Sequence, residues 1–208
     1  IDGGAKYYTA LDCYNNKDGA QRTYTLANGI EMEILYNYYY EHESADENNY
    51  SVCVMFNQGD KHFLFTGDLE EDGEERLAEF YDLPEVELFK AGHHGSKTSS
   101  TDALLSEIRP KIVCVCCCAG YNQYNAAEEN VFPTQAMIDR VSVYTDKVYV
   151  TSLYDESAEE GFVSMNGNIV VTSGSGGVTV NCSDNNTLLK DTEWFANNRE
   201  MPAAWAAA

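Results

Sequence analysis

The sequence predicts an α/β fold, and one short stretch carries most of this prediction. Two apolar runs, residues 62–65 and 86–89, have the length and composition of buried strands. Between them, residues 70–81 set Leu77 and Phe80 among acidic side chains, a spacing typical of an amphipathic helix. Strand, helix and strand in this order predict two parallel neighbours in one sheet.

Each of the two apolar runs is followed at once by residues that can carry chemistry. The string TGD, ending in Asp68, follows the first run, and HHGS, starting with His93 and His94, follows the second. The carboxyl ends of parallel strands meet at one edge of a sheet, where open α/β sheets place their sites. A carboxylate and imidazoles held close together suit a metal such as zinc. The alternatives are a helix-cap role for the aspartate and a structural role for the histidines.

Upstream, the chain is predicted to form two hairpins separated by an acidic loop. Residues 23–35 predict a hairpin whose Asn-Gly pair, residues 28–29, allows the positive φ angles of a tight turn. Residues 51–65 predict a second hairpin, which delivers Asp68 to its loop. The loop between them, residues 36–49, is rich in tyrosine. These tyrosines either lie at the surface or form an aromatic lip over the site, suited to a quaternary ammonium group such as choline.

Downstream, predicted helices and strands continue to alternate. Thr101 has the character of a helix cap, and Pro110 limits the helix that follows it. The predicted elements are a helix at 102–108, a strand at 111–118, a helix at 134–143, a strand at 147–152, a hairpin at 162–172 about Asn166-Gly167, a turn at 174–177 before a strand at 178–182, and a helix at 186–199. In the last helix, Trp194 and Phe195 are expected to pack inward.

The net charge is the strongest compositional signal. Among 208 residues, 34 acidic side chains stand against 13 Lys and Arg, for a formal charge of −21. This charge argues against nucleic acid as a partner, because nucleic-acid binders neutralise phosphates with basic side chains. Either it serves solubility alone, or any phosphate-bearing substrate is small and held by metal.

The sequence contains no apolar run of about eighteen residues, so it predicts no membrane span. No signal segment opens the chain, so the sequence leaves a cytoplasmic or a secreted location open.

The seven cysteines have neither the spacing of a disulfide framework nor that of a zinc knuckle. Four of them lie within the strand predicted at residues 111–118. In a straight strand, Cys114, Cys116 and Cys118 would face one side and Cys117 the other. We expect these side chains to act as small buried apolar groups.

Two strings together carry a family resemblance: TGDLE at residues 66–70 and LFKAGHHGS at residues 88–96. With NNYSV at residues 48–52 and the apolar strand at 112–118, they resemble the second half of the metallo-β-lactamase superfamily. The nearest branches are the hydrolase-like domains of DNA-uptake competence proteins and the cell-wall phosphorylcholine esterases. The resemblance covers roughly residues 28–152. It implies an αβ/βα sandwich of which this chain supplies mainly the C-terminal half.

The resemblance also implies roles for particular residues. Asp68 would bridge two divalent metal ions, zinc or alternatively manganese, and His94 would be a ligand of one of them. His93 would be a second ligand or would face the substrate as a catalytic group. The side chains expected to bind a phosphate group are Ser96, Lys97 and Asn122, although Ser96 could instead brace its loop. The competence branch tends to carry a His-Pro pair where this chain has Phe132-Pro133.

One motif of the superfamily is missing from this sequence. The first-half string His-x-His-x-Asp-His does not occur, and the chain has only four histidines. Asp68 and two histidines cannot complete a dinuclear site with usual coordination numbers. We therefore expect residues 1–208 to form a single, incomplete domain that binds metal poorly alone. Its bare sheet face would be covered by the missing N-terminal half of the fold or by another copy of the protein.

Three functions follow from this interpretation. The first is a metal-dependent hydrolase, most simply a phosphodiesterase or phosphoesterase acting on a small or head-group substrate. The second is a non-catalytic binding domain that has lost its metals. The third is a competence-type domain that processes DNA, which the acidic charge disfavours.

Overall fold

Eight strands form one mixed sheet, in the same order as they occur in the sequence. The computed structural model describes residues 3–121 and 127–206. The strands of the large sheet are β1 (Thr23–Thr25), β2 (Glu31–Ile34), β3 (Val54–Gln58), β4 (Lys61–Phe65), β5 (Leu88–Lys90), β6 (Val113–Ala119), β7 (Val148–Tyr154) and β8 (Phe162–Ser164). A separate two-stranded sheet contains β9 (Ile169–Gly174) and β10 (Gly177–Cys182).

The helices between the strands follow the alternation that the sequence predicts, whereas the first and the last helix lie where it predicts none. They are α1 (Ala10–Tyr14), α2 (Glu71–Phe80), α3 (Asp102–Ile108), α4 (Gln135–Ser142), α5 (Glu193–Asn198) and α6 (Ala203–Ala206). Thr101 and Thr134 cap α3 and α4 by accepting backbone hydrogen bonds from Leu104 and Met137, which stabilises each helix by about 1 kcal/mol. Within the described ranges, no helix has the length and apolar character needed to cross a membrane.

The direction of the strands changes along the sheet. β1 to β4 pair antiparallel as two successive hairpins, and Asn28 and Gly29 have φ angles of 62° and 73° at the turn of the first. β4 to β7 pair parallel, connected through α2, α3 and α4. β8 returns antiparallel to β7. The predicted α/β class is confirmed, and the carboxyl ends of β4 and β5 lie side by side.

Alternate residues of the central strands face two different apolar layers, as the pleat of a strand requires. The helix-covered face buries Leu64, Phe89, Val113 and Val150 of the strands against Leu77, Leu105, Met137 and Ile138 of the helices. The opposite face places Leu88, Ile112, Cys114 and Tyr149 against Ile169, Val171, Val178 and Val180 of the β9–β10 sheet. The β9–β10 sheet thus covers part of the second face.

The rest of the second face is only partly open, since Phe56, Phe63 and Phe65 are half-buried there. A groove of about 430 Å³ lies along it, lined by aromatic side chains that include Phe56, Phe63 and Phe65, and by Lys90 at the end near the two histidines. This is the part of the face that the predicted N-terminal half or second copy would cover. The predicted partner for this surface stays a prediction.

The prediction of a hairpin at residues 162–172 is wrong. β8 pairs with β7, whereas β9 pairs with β10 through the turn at residues 174–177. The physical reason lies in Asn166, which is buried and accepts a hydrogen bond of 2.7 Å from the backbone N–H of Val150. Its amide group also donates to the carbonyl oxygens of Asn185 and Thr187. The first bond ties residue 166 to β7, and the other two tie it to the segment after β10, so residues 166–167 do not close a hairpin turn.

Two further expectations need correction. The helix predicted at residues 186–199 is shorter, since a 3₁₀ turn at Leu189–Asp191 precedes α5, although Phe195 is buried as expected. The cysteine strand is not straight, because a register shift between Val115 and Cys118 marks a bulge in β6. Cys116 is therefore exposed rather than buried.

Candidate functional site

Asp68 and His94 meet at the carboxyl ends of β4 and β5. The Oδ2 atom of Asp68 lies 3.4 Å from the Nε2 atom of His94. Both side chains are open to solvent over about a third of their surface, 36% for Asp68 and 37% for His94. The two strings of the sequence therefore come together in space, with one carboxylate and one imidazole facing each other at the sheet edge.

The position of Asp68 depends on the glycine before it. Gly67 has a φ of 63°, and a Cβ atom added there would lie 2.9 Å from the Ser51 Oγ atom. The backbone N–H of Asp68 donates to the same Ser51 oxygen at 3.0 Å. Only glycine satisfies both the left-handed backbone and this close approach. Ser51 thereby fixes where the Asp68 loop begins.

We expect Gly67→Ala to destabilise the protein by about 2–3 kcal/mol, because it adds a steric contact to the cost of a left-handed backbone. Gly59→Ala is the matched control, since Gly59 has a φ of 62° with nothing within 4 Å of an added Cβ atom. The difference between the two variants in urea unfolding isolates the Ser51 contact. Equal losses of stability would contradict the role given to Ser51.

The ring of His94 is held by a backbone atom. Its Nδ1 atom lies 2.7 Å from the carbonyl oxygen of Cys116, within the β6 bulge. A carbonyl oxygen only accepts, so Nδ1 carries the proton and donates. In the neutral imidazole the lone pair is then on Nε2, the atom that faces Asp68. This is the tautomer that a metal-binding histidine needs.

His93 points to a different acid. Its Nδ1 atom lies 2.7 Å from the Glu70 Oε1 atom, and both side chains are largely buried. The hydrogen bond to Glu70 raises the pKa of His93 and outweighs the opposing effect of burial. Burial pushes the pKa of Glu70 upward, but hydrogen bonds from His93, Thr98 and Asn48 outweigh it and lower that pKa. These opposite pKa shifts favour the ion-paired form, with Nδ1 of His93 committed to Glu70.

Lys90 lies beside this pair of loops. Its Nζ atom donates to the carbonyl oxygen of Gly67 at 3.2 Å and lies 3.7 Å from the Asp68 Oδ1 atom. Sequence reasoning missed both Lys90 and Glu70, although both stand within the two strings that carried the resemblance. The signal that could have found them is their position: Lys90 ends β5 and Glu70 directly precedes α2, so both lie at the same edge of the sheet as Asp68.

The predicted phosphate-binding residues are placed less favourably. The Ser96 hydroxyl bonds the Thr98 hydroxyl at 2.9 Å, which agrees with the alternative that it braces its loop. The Lys97 ammonium group pairs with Glu129 at 3.0 Å on the surface. Asn122 lies outside the described residues. The assignment of these three residues to substrate stays a prediction.

An aromatic ring stands where the competence branch tends to carry histidine. The Phe132 ring lies nearly parallel to the His94 ring, at an angle of 22° and a centroid distance of 6.4 Å. It meets the His93 ring at 5.8 Å and 61°. The Phe132–Pro133 peptide bond is cis. Phe132 thus packs against both histidines and supplies an apolar wall to the site.

The tyrosines of the loop at residues 36–49 pack mainly against α2. The ring centroids of Tyr36 and Phe80 are 4.7 Å apart, and the Tyr38 ring lies 5.3 Å from the guanidinium carbon of Arg76. Phe80 ends the helix, several turns from the site at its start. This packing favours the surface role of the tyrosines over an aromatic lip.

The donor set fits part of a metal shell. Asp68 and His94 supply a carboxylate oxygen and an imidazole nitrogen, both of which are common zinc ligands. Among residues 3–121 and 127–206, no three His, Cys, Asp or Glu side chains converge as a metal site. A catalytic zinc ion takes three protein ligands. Among the described residues, Asp68 and His94 are therefore the two candidate ligands that face each other here.

Comparisons with known protein sequences identify the family that part of this chain resembles. A sequence model of the metallo-beta-lactamase superfamily matches residues 42–119. The chain is 30% identical over 107 residues to Recombination protein 2 of Haemophilus influenzae, covering 51% of this chain and 12% of that protein. It is 32% identical over 127 residues to Competence protein ComA of Neisseria gonorrhoeae, covering 60% and 17%.

A third relative is ComE operon protein 3 of Bacillus subtilis, 32% identical over 69 residues, or 33% of this chain and 9% of that protein. The chain thus spans only a small part of the length of each curated relative. The match includes the Asp68 and His94 loops and the β3 to β6 region of the mixed sheet. Residues 42–119 therefore belong to a domain of the metallo-β-lactamase superfamily that is related to domains of competence proteins.

Proposed function

We propose that this domain is part of a metal-dependent hydrolase of phosphoesters, with Asp68 and His94 as ligands of its metal centre. The observation that supports it is the 3.4 Å approach of Asp68 Oδ2 to His94 Nε2. Two electron-pair donors facing each other at this distance repel unless a proton or a cation lies between them. The His94 tautomer, held by the Cys116 carbonyl oxygen, directs the lone pair toward that position.

We propose that the metal centre is dinuclear and contains zinc, with manganese as the alternative. Divalent ions in such a centre supply a hydroxide nucleophile near neutral pH and neutralise phosphoryl oxygens. The residues of this chain would orient the ions and the substrate. Asp68 and His94 would hold the ions, and His93 and Lys90 would donate hydrogen bonds to negative oxygens of the substrate. The 2.7 Å hydrogen bond to Glu70 raises the pKa of His93 and so favours its charged form.

The ligands still needed would come from a further layer of the fold. We propose that residues 1–208 form one incomplete domain, completed by a remaining segment of the same polypeptide or by another copy. Two observations support this: the described residues give two converging ligands, and the groove with Phe56, Phe63 and Phe65 leaves apolar surface open beside Lys90. A soluble protein rarely leaves such a patch uncovered.

A second candidate function is DNA processing of the competence type. It is favoured by the similarity to Recombination protein 2, ComE operon protein 3 and Competence protein ComA. The formal charge of −21 opposes it, since the surface repels a phosphate backbone. A small phosphodiester therefore fits the chain better than a long nucleic acid does.

The test is the intact mass, metal content and hydrolytic activity of the protein isolated from its native source. This keeps any further segment or partner in place. We expect about two zinc or manganese ions per domain and hydrolysis of bis(p-nitrophenyl) phosphate. Faster turnover of a single-stranded oligonucleotide than of this small diester would favour DNA processing instead. A protein of 208 residues without metal or hydrolysis would leave a non-catalytic binding domain.

A further inference from the structure

Residues 97–101 connect the two loops of the candidate site. The Ser99 hydroxyl donates to the carbonyl oxygen of Leu69, directly after Asp68, at 2.6 Å. The Ser100 hydroxyl accepts from the backbone N–H of Gly92, directly before His93, at 3.2 Å. One segment therefore touches both loops, through two adjacent side chains. We name residues 97–101 the connecting segment.

Glu74 holds the connecting segment from one side. It lies on α2 and is completely buried. Its Oε1 atom accepts the backbone N–H of Ser100 at 2.8 Å, and its Oε2 atom accepts that of Thr101 at 2.7 Å. Burying a carboxylate is costly unless its oxygens are bonded. Here both oxygens are used on the backbone of one segment.

Arg140 holds the connecting segment from the other side. It lies on α4, and its guanidinium group donates to the carbonyl oxygens of Lys97, Ser99 and Ser100 at 2.9, 2.8 and 2.8 Å. The acid thus binds N–H groups and the base binds C=O groups of the same few peptide units. Charge-assisted bonds of this kind are about twice as strong as neutral ones.

The fit between the segment and the histidine loop is also close. A Cβ atom added at Gly92 would lie 2.9 Å from the Ser99 Cβ atom and 3.1 Å from the Glu74 Oε1 atom. The backbone before His93 therefore packs directly on the connecting segment. At the far end of the loop, the Thr134 N–H and hydroxyl both donate to the Gly95 carbonyl oxygen.

We infer that Glu74 and Arg140 are positioning residues, which set the distance between the Asp68 and His94 loops by clamping the connecting segment. Neither side chain has a place in the proposed chemistry, and each acts through hydrogen bonds to the backbone. The catalytic consequence rests on the proposed function, but the positioning itself does not.

The test measures the loops rather than activity. In Glu74→Gln, the amide can accept from only one of the two N–H groups. In Arg140→Lys, the charge remains but the planar fork is lost. For both variants we expect amide hydrogen exchange in residues 66–70 and 92–96 to rise about tenfold, with exchange in β3 unchanged. The ¹⁵N signal of the His94 Nδ1–H group should broaden in the same samples.

Three controls separate positioning from general loss of stability. Glu75→Gln and Arg76→Lys make the same changes at exposed neighbours on α2 and should leave both loops unchanged. Met55→Ala weakens the core in β3, where Met55 is buried, without touching the connecting segment.

Two outcomes would overturn the inference. One is loop exchange that rises equally in Met55→Ala and in the two test variants, and the other is unchanged loop exchange in both test variants. If Glu74→Gln does not fold, Arg140→Lys decides by the same criterion. Intact loop positioning in a protein without hydrolytic activity would refute the proposed function alone.

Discussion

Asp68→Asn and His94→Ala are each expected to lower the affinity of the complete protein for Zn²⁺ by about 100-fold or more. The asparagine keeps the shape of Asp68 but removes the negative charge that a divalent cation needs. The alanine removes Nε2, the nitrogen whose lone pair faces Asp68 at 3.4 Å. Hydrolysis of bis(p-nitrophenyl) phosphate should fall with metal content, and excess Zn²⁺ should restore it only in part.

Competition with a chromophoric zinc chelator measures these affinities directly. The strand β4 provides matched controls at its other end, away from the site. Asp60→Asn changes an exposed residue of the β3–β4 turn, and His62→Ala changes a histidine that bonds Asn57. Both controls should bind Zn²⁺ as tightly as the unchanged protein. If the Asp68→Asn and His94→Ala variants bind Zn²⁺ as tightly as these controls, then Asp68 and His94 are not ligands of the metal centre.

The second large effect concerns the pH dependence of stability. Burial raises the pKa of Glu74 from 4.5 to about 7, against the opposing hydrogen bonds from Thr101 and Ser100. The folded protein therefore holds this proton more tightly than the unfolded chain does. The free energy of unfolding then falls as the pH rises from 4.5 to about 7, with a loss from this group of up to about 3 kcal/mol.

Urea unfolding at several pH values across this interval tests the prediction. Glu74→Gln removes the titrating group, so the difference between the unchanged protein and this variant should shrink toward pH 7. At low pH the variant should be less stable by about 1–3 kcal/mol, because glutamine leaves one buried N–H without an acceptor. Glu75→Gln, an exposed neighbour, should keep the original profile. Parallel profiles for Glu74→Gln and the unchanged protein would show that Glu74 does not titrate in this range.

Local patterns in the sequence were sufficient for much of the fold. The helix at residues 102–108 has the predicted bounds, because its cap, its apolar spacing and the proline beyond it all act within a few residues. The same holds for the turn at Asn28 and Gly29. The places of Asp68 and His94 at neighbouring strand ends follow from strand order alone.

The contacts that shape the site act over longer distances and escaped prediction. His93 bonds Glu70 across 23 positions, His94 bonds Cys116 across 22, and Glu74 bonds Ser100 across 26. Nothing in the local pattern distinguishes Glu74 from the exposed acids around it on α2. Ser96 and Lys97 looked suitable for phosphate because of their residue types. Ser96 bonds Thr98 within its own loop and Lys97 pairs with Glu129, so their assignment to substrate stays a prediction.

The bulge in β6 has a consequence for how this domain can change in evolution. The group that sets the His94 tautomer is the peptide oxygen at position 116, so any side chain that preserves the bulge preserves the hydrogen bond. This hydrogen bond therefore places no requirement on the Cys116 side chain, whereas it does require the irregular strand geometry. A search for conserved side chains would pass over this position, although the tautomer of the His94 imidazole depends on its backbone.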